Sequence, residues 1–206
     1  MGGAALAGAL AWLDGERGGL VAAVQWARED RYADAAVRLS QCQAVYLGWR
    51  RYFDDTITVC GAAREADHHA GDQVGEAIAW NNLGNALRET GRAEEAVNAH
   101  TRARDLYQAA GDRHREASAW NNLGVALWKA GRGEEAVEAY GKALEVFREF
   151  EDWYGTGQTL HNLALVHQDA ARPAHACYLQ AADAYTRANA PTEAAQARTR
   201  ADDITP

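Results

Sequence analysis

Apolar residues recur three and four apart along this chain, the spacing that gathers them on one face of a helix, and the pattern is itself repeated. Trp80, Leu83 and Leu87 are answered by Trp120, Leu123 and Leu127, and Val97, Leu106 and Tyr107 by Val137, Val146 and Phe147. The six residues AWNNLG at 79–84 return unchanged at 119–124, and a degraded copy, TLHNLA, occupies 159–164, so the period is 40 residues. Each period holds two helices. The first is expected to start after Asp72, Asp112 and Asp152, with Thr192 in the same place in the last copy, because a short polar side chain can accept from the free amides of the first turn. It ends at Gly91 and Gly131, where glycine can take the left-handed conformation that closes a helix. In the third copy Ala171 stands there and Pro173 follows, as suits a first helical turn.

Small residues at Ala96, Ala136 and Ala176, and at Ala103, Ala143 and Asp183, mark the line along which the second helix approaches its partner. Helices of roughly 17 residues, about 26 Å long, cannot bury an apolar face as a single pair; stacking is required. Upstream, Ile57 and Ala63 fall where Val97 and Ala103 do. The pair that contains them is degenerate, with Ser40, Gln41, Cys42 and Gln43 in place of WNNL, as befits a repeat stacked on one side only. The expectation is an all-α, right-handed α-solenoid of about ten helices. It divides into an N-terminal helical junction (1–30), a degenerate repeat (31–72), two regular repeats (73–111 and 112–151), a degenerate repeat (152–191) and a closing helix (192–206).

Composition narrows the function. A net charge of −8, with 21 basic residues scattered among 29 acidic ones, gives no basic face for nucleic acid. Cys42, Cys60 and Cys177 are far apart and odd in number, fitting buried thiols in a reducing cytoplasm better than disulfides or zinc. The apolar run Gly2 to Leu13 is too short to span a membrane and lacks a preceding positive charge.

The order Trp80, Leu83, Gly84, Leu87, Gly91, Ala96, Ala103, repeated at Trp120, Leu123, Gly124, Leu127, Gly131, Ala136 and Ala143, resembles the tetratricopeptide pattern. The 40-residue period is similar to that of kinesin light chains and bacterial peptide-sensing regulators. A second, weaker likeness lies at Trp12, Leu13, Asp14, Glu16, Arg17 and Leu20 to Val24, which resemble the junction between the ATPase part and the tetratricopeptide tail of actinobacterial NB-ARC regulators, antibiotic-regulatory activators among them. The chain carries no GxxxxGK[ST] loop, so this kinship implies a sensor tail.

The tetratricopeptide resemblance implies that the first helices line a concave face. Carried residue by residue onto this chain, it puts Ile78, Asn81, Asn85, Arg88 and Glu89 in the groove, then Ser118, Asn121, Val125, Trp128 and Lys129, then Gln158, His161, Leu165, Gln168 and Asp169. Asn82, Asn122 and Asn162 stand beside them. An asparagine amide both donates and accepts, so a row at repeat spacing suits the backbone of an extended peptide. The alternative for Asn82, Asn122 and Asn162 is a tie between neighbouring helices through local backbone, and both roles are compatible. Trp128, whose counterparts Arg88 and Gln168 are polar, is expected either to anchor a ligand or to pack on its neighbour. The matching positions carry no cations for a carboxylate clamp.

Catalysis finds no support. His68 and His69 diverge by about 100° on a helix, Glu94–Glu95 and Glu134–Glu135 suit a helix N-terminus, and no nucleophile, base and orienting group occur together. The expected function is a protein- or peptide-binding module without catalytic residues, metal or cofactor, forming the ligand-sensing part of a regulator. The rival is an oligomerisation scaffold, with Gly2 to Leu13 as its best motive.

Overall fold

The computed structural model describes residues 2–26, 38–40, 43, 46–170 and 173–204. The expected helix over about 31–48, Gln41 and Cys42 fall largely or wholly outside them. The helices are α1 (Gly2–Trp26), α2 (Phe53–Ala70), α3 (Gln73–Glu89), α4 (Ala93–Ala109), α5 (Arg113–Lys129), α6 (Gly133–Glu149), α7 (Trp153–Asp169), α8 (His175–Arg187) and α9 (Pro191–Asp203). From α2 onward each packs chiefly on the next in the chain, so the fold is an all-α solenoid.

Local chemistry sets most helix ends where the sequence puts them. Asp72, Asp112 and Asp152 accept from the amides of Gly75, Arg115 and Gly155 at 2.9, 3.0 and 2.8 Å. Gly91 and Gly131 take φ of 78° and 79°, and the amides of Arg92 and Arg132 reach back to the carbonyls of Leu87 and Leu127, closing the helix with a Schellman pattern.

The packing line is as expected in the regular repeats, where Ala96, Ala103, Ala136 and Ala143 are wholly buried. Each family-type tryptophan is held in the same way. The Arg64 and Arg104 guanidinium groups lie over the Trp80 and Trp120 rings at 4.9 and 4.5 Å, and the indole N–H groups donate to Glu76 and Glu116.

The last repeat departs from the expected register. Ala176 and Asp183 are exposed, while Ala174, Tyr178, Ala181 and Tyr185 are buried. These four correspond to Ala136, Tyr140, Ala143 and Phe147 at an offset of 38, so two fewer residues separate the packing positions of α8 from those of α7 than in the regular repeats. The same shortening moves the start of α9: Pro191 opens that helix after Ala190, and Thr192 lies inside it. Pro173 likewise precedes α8 and is not part of its first turn.

The glycine of AWNNLG lies directly under a ring of the partner helix. A methyl group on Gly84 would come within 2.7 Å of the His100 ring, and one on Gly124 within 2.6 Å of the Tyr140 ring. Cys60, His100, Tyr140 and Tyr178 form one column of buried side chains. His100 is fully buried, neither ring nitrogen has a hydrogen-bond partner, and burial, with Arg88 nearby, holds its pKa down at about 3. Burial pushes the Cys60 thiol up to about 12. Asp67 is also buried; desolvation first, then Asp72 and Glu76, push its carboxyl up to about 6.

Gly124→Ala should lower stability by about 1–3 kcal/mol, because the Tyr140 ring has to move. Gly141→Ala, on the same solenoid but with open space around it, should raise stability by up to about 1 kcal/mol. Thermal unfolding of both variants checks the pair.

Below its ordinary pKa of 6.5 His100 is protonated in the unfolded chain but not in the folded one, so its neutral burial costs stability as pH falls from there toward 3. Asp67 works in the opposite sense, holding a proton in the folded state between about 4 and 6 and costing stability as pH rises through that window. Relative to the parent, His100→Leu should therefore gain roughly 2–3 kcal/mol between pH 7.5 and 4.5. Urea midpoints at the two pH values measure it, and an equal difference at both rules the assignment out.

Candidate functional site

Because α3, α5 and α7 are equivalent helices, residues 40 apart on them face the same side and build a groove of about 870 Å³. Asn82, Asn85, Arg88 and Glu89 of α3 line it, followed by Asn121, Asn122, Val125 and Lys129 of α5, then Gln158, His161 and Asn162 of α7. One end is closed by Trp49, Arg51, Phe53 and Thr56, and Tyr185 of α8 also contributes. Eleven of the eighteen residues that the resemblance puts in or beside the groove thus line it, and Ile78, Asn81, Ser118, Trp128, Leu165, Gln168 and Asp169 do not.

Asn81 is instead the end of a ladder whose other members, Asn121, Asn122 and Asn162, line the groove. The Asn122 amide donates to Asn81 Oδ1 at 2.9 Å, and the Asn162 amide to Asn121 Oδ1 at 3.2 Å. Asn122 and Asn162 therefore reach back to the first asparagine of the preceding copy, side chain to side chain, whereas the tie that the sequence offered as the alternative to ligand contact ran through local backbone. Each bond uses only part of each amide. Asn81 and Asn121 keep both N–H groups, and Asn122 and Asn162 keep a carbonyl oxygen and one N–H. The ladder ends at His161, which packs edge-on against Tyr178 at 5.4 Å. Burial, reinforced by the Arg200 charge, lowers the pKa of that imidazole, so this end is neutral.

Charge is uneven along the groove. Arg51, Arg88 and Lys129 face it against one carboxylate, Glu89. Glu89 is already engaged, by Arg88 at 3.1 Å and by Arg51 at 3.9 Å. The Lys129 ammonium stands 4.8 Å over the Trp128 ring and makes no ion pair among the described residues.

Trp128 takes the packing role of its two expected ones. Its ring rests partly buried on the core formed by α3 to α7, and its N–H donates to Asp169 of the next repeat at 2.8 Å. The indole that does stand open at the groove is Trp49, 67 % exposed. Sequence reading missed it, along with Arg51 and Phe53, because that stretch lacks the WNNL letters. The signal was present in the spacing: Trp49, Glu89 and Lys129 are 40 residues apart, and all three line the groove.

Among the described residues no three His, Cys, Asp or Glu side chains are grouped so as to hold a metal, and no helix is long and apolar enough to cross a membrane. Cys60 and Cys177 are free thiols.

Known proteins place this geometry. No curated protein matches the sequence significantly. In fold the chain is similar to BtubC (BKLC) from P. vanneervenii, at 17 % identity over 93 % of this chain and 90 % of that one, with a TM-score of 0.60. It is also similar to the apo form of RapI, at 13 % identity over 88 % and 72 %, with a TM-score of 0.62. At these identities the likeness is one of fold alone. The family model for the tetratricopeptide repeat matches residues 75–148 and again 115–187, together more than half of the chain, and it takes in both copies of AWNNLG and the rings that pack on their glycines. The chain belongs to the tetratricopeptide-repeat family.

Proposed function

We propose that this chain is a cytoplasmic binding module, without catalytic activity of its own, that takes an extended peptide or partner segment along the groove of α3, α5 and α7. The observation that carries the reading is the asparagine ladder. Its hydrogen bonds fix the amide orientations and still leave donors and acceptors unspent, and a repeating row of such groups matches the repeating N–H and C=O of a peptide backbone. Fixing the amides in advance also lowers the entropy lost on binding. The resemblance of residues 12–24 to the junction of NB-ARC regulators supports a further step, that the module is the ligand-sensing part of a regulator whose output resides in another domain or protein.

The ladder and the binding role separate experimentally. Asn122→Ala leaves Asn81 Oδ1 without its donor and should lower stability by about 1–2 kcal/mol in urea titrations. The double variant Asn81→Ala, Asn121→Ala should weaken a selected peptide ligand at least about tenfold while the helical circular dichroism signal persists. Unchanged affinity in the double variant would falsify the ladder as a contact surface.

A further inference from the structure

Away from the groove, α1 has two apolar sides, and the solenoid uses one of them. On the inner side Val21 and Val24 pack with Leu47 and Val59, Asp14 is held by Arg50 and Tyr46, and Arg17 pairs with Asp55 at 3.1 Å. Asp14, Glu16 and Arg17 are the only charged residues of this 25-residue helix. Glu16 is therefore the one charge on the side turned away from the solenoid, and a helix apolar on both sides belongs between two layers. The contrast is α9, whose exposed residues include Thr192, Gln196, Arg198 and Asp203, the polar outer face that a closing helix needs.

The outward side is ordered as well as apolar. Gly8, Trp12, Gly15, Gly19, Ala22 and Trp26 are all exposed and succeed one another in steps of four and three, the heptad spacing of a seam between helices. The two indoles, 60 % and 62 % exposed, stand on one line about 21 Å apart. At Gly8, Gly15 and Gly19 nothing lies within 4 Å of where a Cβ would be. Glycine weakens a helix relative to alanine, and the chain's own packing gives no reason for it at these three positions; close approach by a second helix does.

The seam also has the symmetry of a pair. Gly19 lies midway between Trp12 and Trp26, so a twofold axis at Gly19 relating two antiparallel copies of α1 sets each Trp12 against Trp26 of the partner copy. It sets Gly19 against itself and Glu16 against Ala22. Helices that cross diverge on either side of the contact, so small residues at the crossing and indoles at both ends match the gap. A parallel pair instead brings Glu16 beside Glu16 and aligns the helix dipoles, both unfavourable. The indoles offer up to about 300 Å² per copy, about half of the roughly 600 Å² a side at the lower end of specific interfaces. Backbone and small side chains along about 27 Å of seam contribute the remainder.

We infer that the outward face of α1 is a homodimer interface, at which two copies of the chain pack their α1 helices antiparallel about Gly19. No residue of α1 lines the groove, so this inference and the peptide-binding reading stand independently.

Sedimentation equilibrium of the full chain, from the low micromolar range upward, should show a reversible monomer and dimer. Trp12→Ala, at an exposed position, should weaken the dimer about tenfold or more while the melting temperature of the dilute monomer is unchanged. Gly19→Leu should abolish the dimer and leave the monomer at least as helical, because leucine is the stronger helix former. Under mild oxidation Gly19→Cys should cross-link to its own copy, with the parent chain as control for its native thiols. Gly8→Cys should not, since its two copies lie about 33 Å apart along the antiparallel pair. A monomer at every concentration overturns the interface and leaves the face to a different occupant. A dimer that survives both Trp12→Ala and Gly19→Leu places the contact elsewhere and overturns it equally. Cross-linking at Gly8→Cys as readily as at Gly19→Cys identifies a parallel pair and overturns the antiparallel arrangement.

Discussion

The structure depends on how closely the two helices of a repeat can approach. At Gly84 and Gly124 the partner helix sets an aromatic ring directly on the backbone, at a distance where a methyl group would not fit. Packed interiors tolerate little change in volume, so this contact fixes the separation of each pair, and the burial of Ala96, Ala103, Ala136 and Ala143 along the same line keeps it constant. Constant geometry per repeat is what brings α3, α5 and α7 into equivalent positions. Without it, residues 40 apart would not share a face, and the groove would not form.

The column behind those glycines shows what the constraint tolerates. Cys60, His100, Tyr140 and Tyr178 occupy one structural position with side chains of different size and polarity. The two regular repeats meet the aromatic ring with glycine, whereas the last repeat places Ala164 beside Tyr178 and sets the packing positions of α8 two residues earlier in the chain. His100 shows the cost of such substitution. A full imidazole is buried with neither nitrogen bonded, and packing holds it there because the solenoid on both sides has already set the space.

On the groove side the same regular spacing arranges polar groups. Two amide-to-amide bonds, each across 41 residues, link successive repeats and orient the asparagines that face solvent. The contacts that make the array stiff are thus continuous with the surface offered to a ligand, which is why stability and recognition meet in a few side chains. At the end of the groove the degenerate first repeat supplies what the regular repeats lack, an open indole, Trp49, and a cation, Arg51, held at φ 62° in the left-handed region.

Much of this was legible in the chain itself. A 40-residue period, capping aspartates, closing glycines and the alternation of small and large apolar residues are local or nearest-neighbour properties, so sequence alone determined the helix pairs and their stacking, and the family resemblance it carries named eleven of the residues in the groove. Three matters were decided only by tertiary structure. The two-residue shortening before α8 was invisible, because Ala176 looked as suitable as Ala174 until the rings of Tyr178 and Tyr185 showed which register packs. The asparagine partners lie 41 residues away, and a linear sequence does not say whether an amide bonds its own helix or its neighbour. That Trp128 is partly covered and Trp49 open was decided for the same reason: whether an indole is open or covered depends on Asp169 of the next repeat and on the position of a terminal one, and those distances exist only once the solenoid has formed.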